Sequence, residues 1–282
     1  MSKRLFLFAG YDKNGIIDDA LIYYVQNLAT YGDVILCMDS DCDDVQLTKI
    51  KPFTIYAMAK RHGEYDFGSY KRCFQYARDN DLLKNYDVMY LVNDSVFGPM
   101  FNMANIIKGI ENLPTDAGGM VISKHKTHTF MESWFVRLNK NIFISKWFDK
   151  FMSAVTKEID KDTITIKYEH GLTNLIRNNN CSCSGLYEFY GRFTYNKPKT
   201  LFKLGCPFVK KASFIRHNGA CGNQIKYILK HADKIATQSV MITANRVYGA
   251  KYMNKLLTYN PIKIMMRNIN YLIKKITNGD AL

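Results

Sequence analysis

The sequence predicts an α/β fold, a mostly parallel central sheet flanked by helices, followed by a basic and mainly helical C-terminal region. Three observations carry this. Short apolar runs rich in β-formers alternate with helically spaced segments in the order β-α-β-β-α-β-α-β, the pattern of a sheet covered on both faces. Polar or glycine-containing turns close these runs, as at Gly10, Gly32 and Asn93-Asp94-Ser95. Charge is also segregated: Lys199 to Leu282 holds fifteen Lys/Arg and two acids, a net of +13 out of +14 for the whole chain. A soft boundary near Pro198 follows, separating residues 1–198 from a basic region at 199–282.

The elements read in order as follows. Arg4 to Ala9 is an apolar first strand, and Asp12-Lys13-Asn14-Gly15 a turn. Asp18 is an N-cap for a helix whose apolar residues Ala20, Leu21, Tyr24, Val25 and Leu28 share one face. Asp33 to Met38 is a second buried strand, and Pro52 to Ala59 offers a short third. A helix over Phe67–Asp79 and a strand over Tyr86–Val92 follow, then a helix over Asn102–Asn112. Met120–Ile122 and Trp134–Leu138 are strand-like, Phe143–Lys157 is helical, and Glu169 opens a helix to Arg177. Short amphipathic helices are expected at Ile225–Lys230 and Ala250–Leu257.

Composition narrows the classes. With 47% hydrophobic and 23% charged residues the chain is neither disordered nor membrane-embedded. Its start has about six apolar residues before Tyr11-Asp12, short for a signal-peptide core. No run approaches the roughly 18 apolar residues of a spanning helix, so a cytoplasmic protein is expected. Seven cysteines, an odd number, read as reduced thiols. Cys181, Cys183, Cys206, His217 and Cys221 match no standard zinc spacing.

Four segments could carry chemistry. The first is the acidic stretch Asp39-Ser40-Asp41-Cys42-Asp43-Asp44 after the second strand, where Asp39 or Asp41 could grip a base or ribose. A solvated acidic turn gives the same pattern, and a calcium loop is excluded by the missing Gly and terminal Glu. The second is RHGEYDFGSYK, residues 61–71. Its Gly63 and Gly68 permit tight backbone approach, Asp66 or Ser69 could cap the helix, and Arg61 and Lys71 could hold a diphosphate at the helix N–H groups. The third is the strand ending in Asn93-Asp94-Ser95, with Asp94 as a single carboxylate for hydrated Mg²⁺ or Mn²⁺. The fourth is Glu169-His170-Gly171, with Glu132-Ser133 upstream; an acid there suits a general base, or merely a helix dipole.

These motifs occur in a familiar order: YDKNGIIDD, YDFGSYK, LVNDSVFGP, Glu132-Ser133-Trp134-Phe135, YEHGLTNLI and Gly205-Cys206-Pro207-Phe208-Val209-Lys210. Over about residues 4–215 they resemble the rhamnan synthesis protein F family of bacterial polysaccharide glycosyltransferases. More distantly the layout is similar to family-two glycosyltransferases of the GT-A fold. The resemblance implies a nucleotide-sugar-binding catalytic domain over 1–198, with Asp39 at the base- or ribose-binding place. It puts Arg61, Asp66 and Gly68 in the donor-side loop, Asn93-Asp94-Ser95 at the D-x-D place, and Glu169 at the first position of the catalytic Glu-Asp pair. A divalent metal, Mg²⁺ or Mn²⁺, would sit at Asp94. Asn93 and Ser95 replace the two outer acids, and His170 replaces the second acid of the pair. Glu132, where the family usually has Gln, is a rival base.

What this implies is an inverting hexosyltransferase using a nucleotide-sugar donor, dTDP-rhamnose by resemblance, and a saccharide or lipid-linked saccharide acceptor. In the basic third, Pro261–Ile276 pairs an apolar stripe with Lys263, Arg267, Lys274 and Lys275. That pattern suits an anionic membrane surface, hence a peripheral position on the inner face of the cell membrane. A helix packed on the protein with its basic face in water has the same sequence. A basic nucleic-acid-binding protein without transferase activity is the alternative, but no recognised binding motif supports nucleic acid as a partner.

Overall fold

The computed structural model describes residues 2–258 and, beyond them, Ile262, Met265, Met266, Ile269, Leu272 and Ile273. Ten strands are present among these residues: β1 (Arg4–Gly10), β2 (Asp33–Met38), β3 (Tyr56–Ala59), β4 (Val88–Asn93), β5 (Val96–Phe97), β6 (Ala117–Lys124), β7 (Thr129–Met131), β8 (Phe135–Asn139), β9 (Cys183–Tyr190) and β10 (Val209–Lys210). The chain divides into two compact units, Met1–Asp94 with Ile107–Glu188, and Ser95–Ile106 with Phe189–Leu282. Pro198, the expected boundary, lies inside the second unit.

The first unit is built on the sheet β3-β2-β1-β4-β8-β6-β7, with β9 alongside β6. β1 pairs in parallel with β2 and β4, and β2 in parallel with β3. β8 joins β4 antiparallel, and β6 and β7 continue in that sense. The expected mostly parallel centre is therefore present, with an antiparallel flank. β1 and β4 are buried along almost their whole length, which requires cover on both faces. Alternation divides that cover. Leu5, Leu7 and Ala9 join Ile35 and Cys37 against Tyr70, Cys73, Phe74 and Ala77 of the Tyr65–Asp79 helix. Phe8 points the other way and meets Tyr24 of the Asp19–Ala29 helix edge-on at 5.2 Å.

Register decides where function can sit. Gly10 pairs with Met38, Met38 with Ala59, and Ala9 with Asn93. The segments starting at Tyr11, Asp39, Lys60 and Asp94 thus leave the sheet at one edge, the carboxyl edge where open α/β sheets bind ligands. β8 runs oppositely, with Phe135 opposite Val92, so Glu132-Ser133-Trp134 enters at that same edge.

Several expectations are corrected here. The helix of the second segment begins at Tyr65, not Phe67, and the one expected over Phe143–Lys157 is two, Lys140–Phe143 and Lys146–Ser153. Glu169 does not open a helix. It lies in a π-helical turn, Thr165–His170, between Lys161–Ile164 and Gly171–Asn178. β7 spans three residues, too few for a period to show, and β9 includes Gly185, whose added Cβ would lie 2.6 Å from Ile122 of β6.

The second unit contains the two-stranded β5–β10 ladder and the helices Gly222–His231, Lys234–Tyr248 and Ala250–Leu257. Lys234–Tyr248 was not expected from the sequence. Its buried face is Ala236, Ser239, Val240, Thr243 and Ala244, small and partly polar, so no apolar stripe announces it. Most of the stretch Pro261–Ile276 lies outside the described residues. The six of its residues that are described are helical and exposed. Among the described residues, no helix is long and apolar enough to cross a membrane.

Candidate functional site

Asp39, the first residue beyond β2, is buried, and its carboxylate is already at work. Oδ1 accepts the backbone N–H of His62 at 2.7 Å and of Gly63 at 2.9 Å. The acid therefore clamps the turn that leads into the Tyr65–Asp79 helix. Gly63 adopts φ +70°, a left-handed conformation that glycine takes without steric cost. Tyr65 follows at φ +55° with a half-exposed ring. A bulky residue in that region is strained, and such strain concentrates at ligand sites.

His62 is a functional candidate that the sequence did not single out. Its side chain is 2% exposed, with Nε2 3.1 Å from Ser69 Oγ and Nδ1 accepting the Glu64 backbone N–H at 3.1 Å. Because Nδ1 accepts, the ring is neutral with its proton on Nε2. Burial, and then the Arg72 charge, lower the His62 pKa. The 3.6 Å approach to Asp39 is accordingly no ion pair. Gly68 is required by this packing: a Cβ there would lie 2.3 Å from Glu64 Cβ and 2.7 Å from His62 Cε1. Its close approach is thus to protein.

The expected helix cap is corrected too. Glu64 occupies the N-cap position and makes no side-chain capping bond. Asp66 lies past that position and accepts the Asn93 amide at 2.9 Å, while Ser69 pairs with His62. Burial alone would raise the Glu64 pKa, but Arg72 at 2.7 Å holds it below the usual carboxylate range. Lys71 donates to the Val155 carbonyl at 2.7 Å and stands 4.0 Å from Glu64. Arg61 is exposed; it donates to Asp41 Oδ2 at 3.2 Å and lies 6.0 Å over the Tyr11 ring.

At the end of β4, Asn93 is buried and its amide is spent on Asp66. Asp94 donates its N–H to the Ala9 carbonyl. Ser95 belongs to the second unit, where its hydroxyl receives the ammonium of buried Lys210 at 3.1 Å. This donor set fits a divalent metal poorly. One carboxylate stands between an amide committed elsewhere and a hydroxyl holding a cation. Among the described residues, no three or more His, Cys, Asp or Glu side chains cluster as metal ligands. The seven cysteines are free thiols.

The two rival bases separate clearly. Glu132 is buried, with Oε1 accepting from Ser123 Oγ at 2.7 Å and Oε2 from Trp134 Nε1 at 2.7 Å. Both oxygens serve the sheet. Glu132→Gln should keep both contacts, the amide oxygen accepting from Trp134 and the NH₂ donating to Ser123, and should leave turnover within a few-fold. Glu132→Ala leaves the indole N–H buried without this acceptor and should cost about 2–3 kcal/mol in urea unfolding. Loss of turnover in a fully folded Glu132→Gln protein would restore Glu132 as the base.

Glu169 is only partly buried, and its Oε1 accepts both the backbone N–H of Ser133 at 2.7 Å and its hydroxyl at 2.8 Å. Tyr70 OH donates to the Ser133 carbonyl at 2.9 Å. Burial above all, then Asp66, raises the Tyr70 pKa well above its ordinary value, so this phenol remains a donor. Ser133 thereby fixes the Glu169 carboxylate at the edge where β4 ends, since Asn93 N–H bonds the Trp134 carbonyl. His170, the next residue, turns instead to Phe130, with ring centroids 4.0 Å apart. Neither Ser133 nor Tyr70 carried a sequence signal of its own.

Comparisons with known proteins give three findings. A family model described as rhamnan synthesis protein F matches residues 34–280. No curated protein matches the chain. Among solved structures, it is similar to a protein assigned as a nucleotide-diphospho-sugar transferase from Desulfovibrio desulfuricans G20, at 17% identity over 85% of this chain and 99% of that one, with a TM-score of 0.39. It is similar also to core-mannan synthase A from Aspergillus fumigatus in its Mn/GDP form, at 10% identity over 62% and 70%, TM-score 0.35. A cytidylyltransferase from Leptospira borgpetersenii serovar Hardjo-bovis (strain JB197) matches at 8% identity over 92% and 100%, TM-score 0.41.

Proposed function

Because this chain belongs to the rhamnan synthesis protein F family, we propose that it is a glycosyltransferase. It moves a sugar, rhamnose-like by family, from a nucleotide-sugar donor to a growing bacterial cell-surface polysaccharide or lipid-linked glycan. The observation that supports this reading most is the shared carboxyl edge of β1, β2, β3 and β4, from which Asp39 and Asp94 leave the sheet and where Ser133 holds Glu169.

In this reading the donor lies across the edge, on the His62–Gly63 turn that Asp39 shapes, with exposed Arg61 offering charge to its diphosphate. Glycosyl transfer passes through an oxocarbenium-like state, and the acceptor hydroxyl must lose a proton as it attacks. Glu169 is the proposed base in a single, inverting displacement. Ser133 holds its carboxylate in place through two hydrogen bonds to Oε1.

Nucleotide binding is the direct test. A nucleoside diphosphate at a hundred times its Kd should add about 2.7 kcal/mol to stability and raise Tm by roughly 5–10 °C. UDP, GDP and dTDP should differ, and one should shift strongly. No shift with any of them, together with tight, salt-sensitive RNA binding, would replace this reading with that of a nucleic-acid-binding protein.

We assign the basic C-terminal region to an anionic membrane surface. The support is its net +13 together with exposed Ile262, Met265, Met266, Ile269, Leu272 and Ile273. Flotation with vesicles containing anionic lipid, and none with neutral vesicles, is expected; equal behaviour with both would remove the assignment.

A further inference from the structure

A second feature of the first unit has no part in the donor site. The turn between β6 and β7, His125-Lys126-Thr127-His128, with Thr129 of β7 and Asn174 and Arg177 of the Gly171–Asn178 helix, borders an open cavity of about 430 Å³. That volume falls within the range of small-ligand sites. No carboxylate lines it, whereas an ammonium, a guanidinium, two imidazoles, two hydroxyls and an amide do.

The cations are placed for an anion. Arg177 spends one N–H on the Thr129 carbonyl at 3.1 Å, which anchors a guanidinium with five N–H donors against the turn. Its planar fork matches phosphate or carboxylate oxygens, and Lys126, exposed at the tip, adds a point charge. The turn itself is braced. His125 N–H bonds the His128 carbonyl at 2.8 Å, and the two imidazoles stack at 4.6 Å with 12° between planes. His128 then meets His170 at 4.6 Å, and His170 meets Phe130 at 4.0 Å. Burial above all, with positive charge on His128 and His125 adding to it, pushes the His170 pKa down to about 4.

The stack also relates the cavity to the chemistry. His170 is the residue after Glu169 on one π-helical turn, and the two side chains face Phe130 and Ser133, three residues apart across the end of β7. We propose that this cavity binds an anionic group, a phosphate or a carboxylate, carried by the acceptor saccharide whose hydroxyl reaches Glu169. The assignment of the anion to the acceptor rests on Glu169 as base; the anion site itself does not.

The test uses the full-length protein and ring signals of His125 and His128 in NMR, titrated with inorganic phosphate, glucuronate and neutral glucose. Saturable shifts with phosphate or glucuronate but not glucose are expected, and which of the two binds more tightly names the group. The double variant Lys126→Ala/Arg177→Ala, and separately Arg177→Lys, should raise the anion Kd tenfold or more at unchanged Tm. Absence of saturable shifts, or an equal Kd in the double variant, overturns the site. Glu169→Gln should bind the anion as wild type does. If that variant also keeps full turnover while the double variant loses the anion, the site stands and the base assignment falls.

Discussion

Glu169→Gln is expected to lower kcat by about 10²- to 10⁴-fold, the span typical of losing a general base, while leaving donor affinity and Tm near wild type. The geometry makes this substitution clean. Oε1 of Glu169 accepts from Ser133 N–H at 2.7 Å and from its hydroxyl at 2.8 Å, and a glutamine carbonyl oxygen can accept both. What the amide cannot do is take a proton from the acceptor. Ser133→Ala removes one of the two bonds that orient the carboxylate and should cost less, about tenfold, mostly in kcat. Turnover measured as transfer to an acceptor, with hydrolysis of the donor followed separately, checks both. A Glu169→Gln protein that transfers at the wild-type rate would end the assignment.

Asp39→Ala should destabilise the protein by about 3–6 kcal/mol and abolish the thermal shift produced by nucleotide. Two backbone N–H groups, of His62 and Gly63, end on its Oδ1 at 2.7 and 2.9 Å, and hydrogen bonds to an ionised group are worth about 1.5–3 kcal/mol each. The alanine leaves both donors without this acceptor at a largely buried position. Asp39→Asn keeps an acceptor oxygen without the charge, so it should lose about half as much stability. Urea unfolding gives the first quantity and nucleotide titration the second. If stability falls while nucleotide affinity is untouched, Asp39 is a clamp with no bearing on the donor; if neither changes, the donor-loop reading fails.

Much of the fold was legible because its signals are local. β1, β2 and the Asp19–Ala29 helix match their expected spans closely, with Asp18 capping through its side chain to Leu21 N–H at 3.0 Å. Apolar runs, a capping acid and a glycine stop act within a few residues. What escaped was decided by partners distant in sequence. The antiparallel flank depends on which strand β8 finds, and the face of Lys234–Tyr248 that is buried is marked by small size rather than apolarity. The π-helical turn at Glu169 and the strained backbone of Tyr65 likewise have no local signature.

The candidate site divides in the same way. Residue type and order alone determined that an α/β sheet is present, which strands end in acids, and that the chain resembles a transferase family. Tertiary structure decided what each acid does. Asp39, Asp66 and Glu132 were equal carboxylates in the sequence, yet they hold a turn, an amide and an indole. Of the two rival bases, Glu132 is buried on a hydroxyl and an indole, whereas Glu169 is only partly buried and takes two bonds from Ser133. The physical reason is that a carboxylate's role depends on which donors reach it, and those donors come from residues 23 to 36 positions away for Asp39, Asp66 and Glu169. Sequence carries no direct record of such distances; only the packed sheet brings the partners within hydrogen-bond reach.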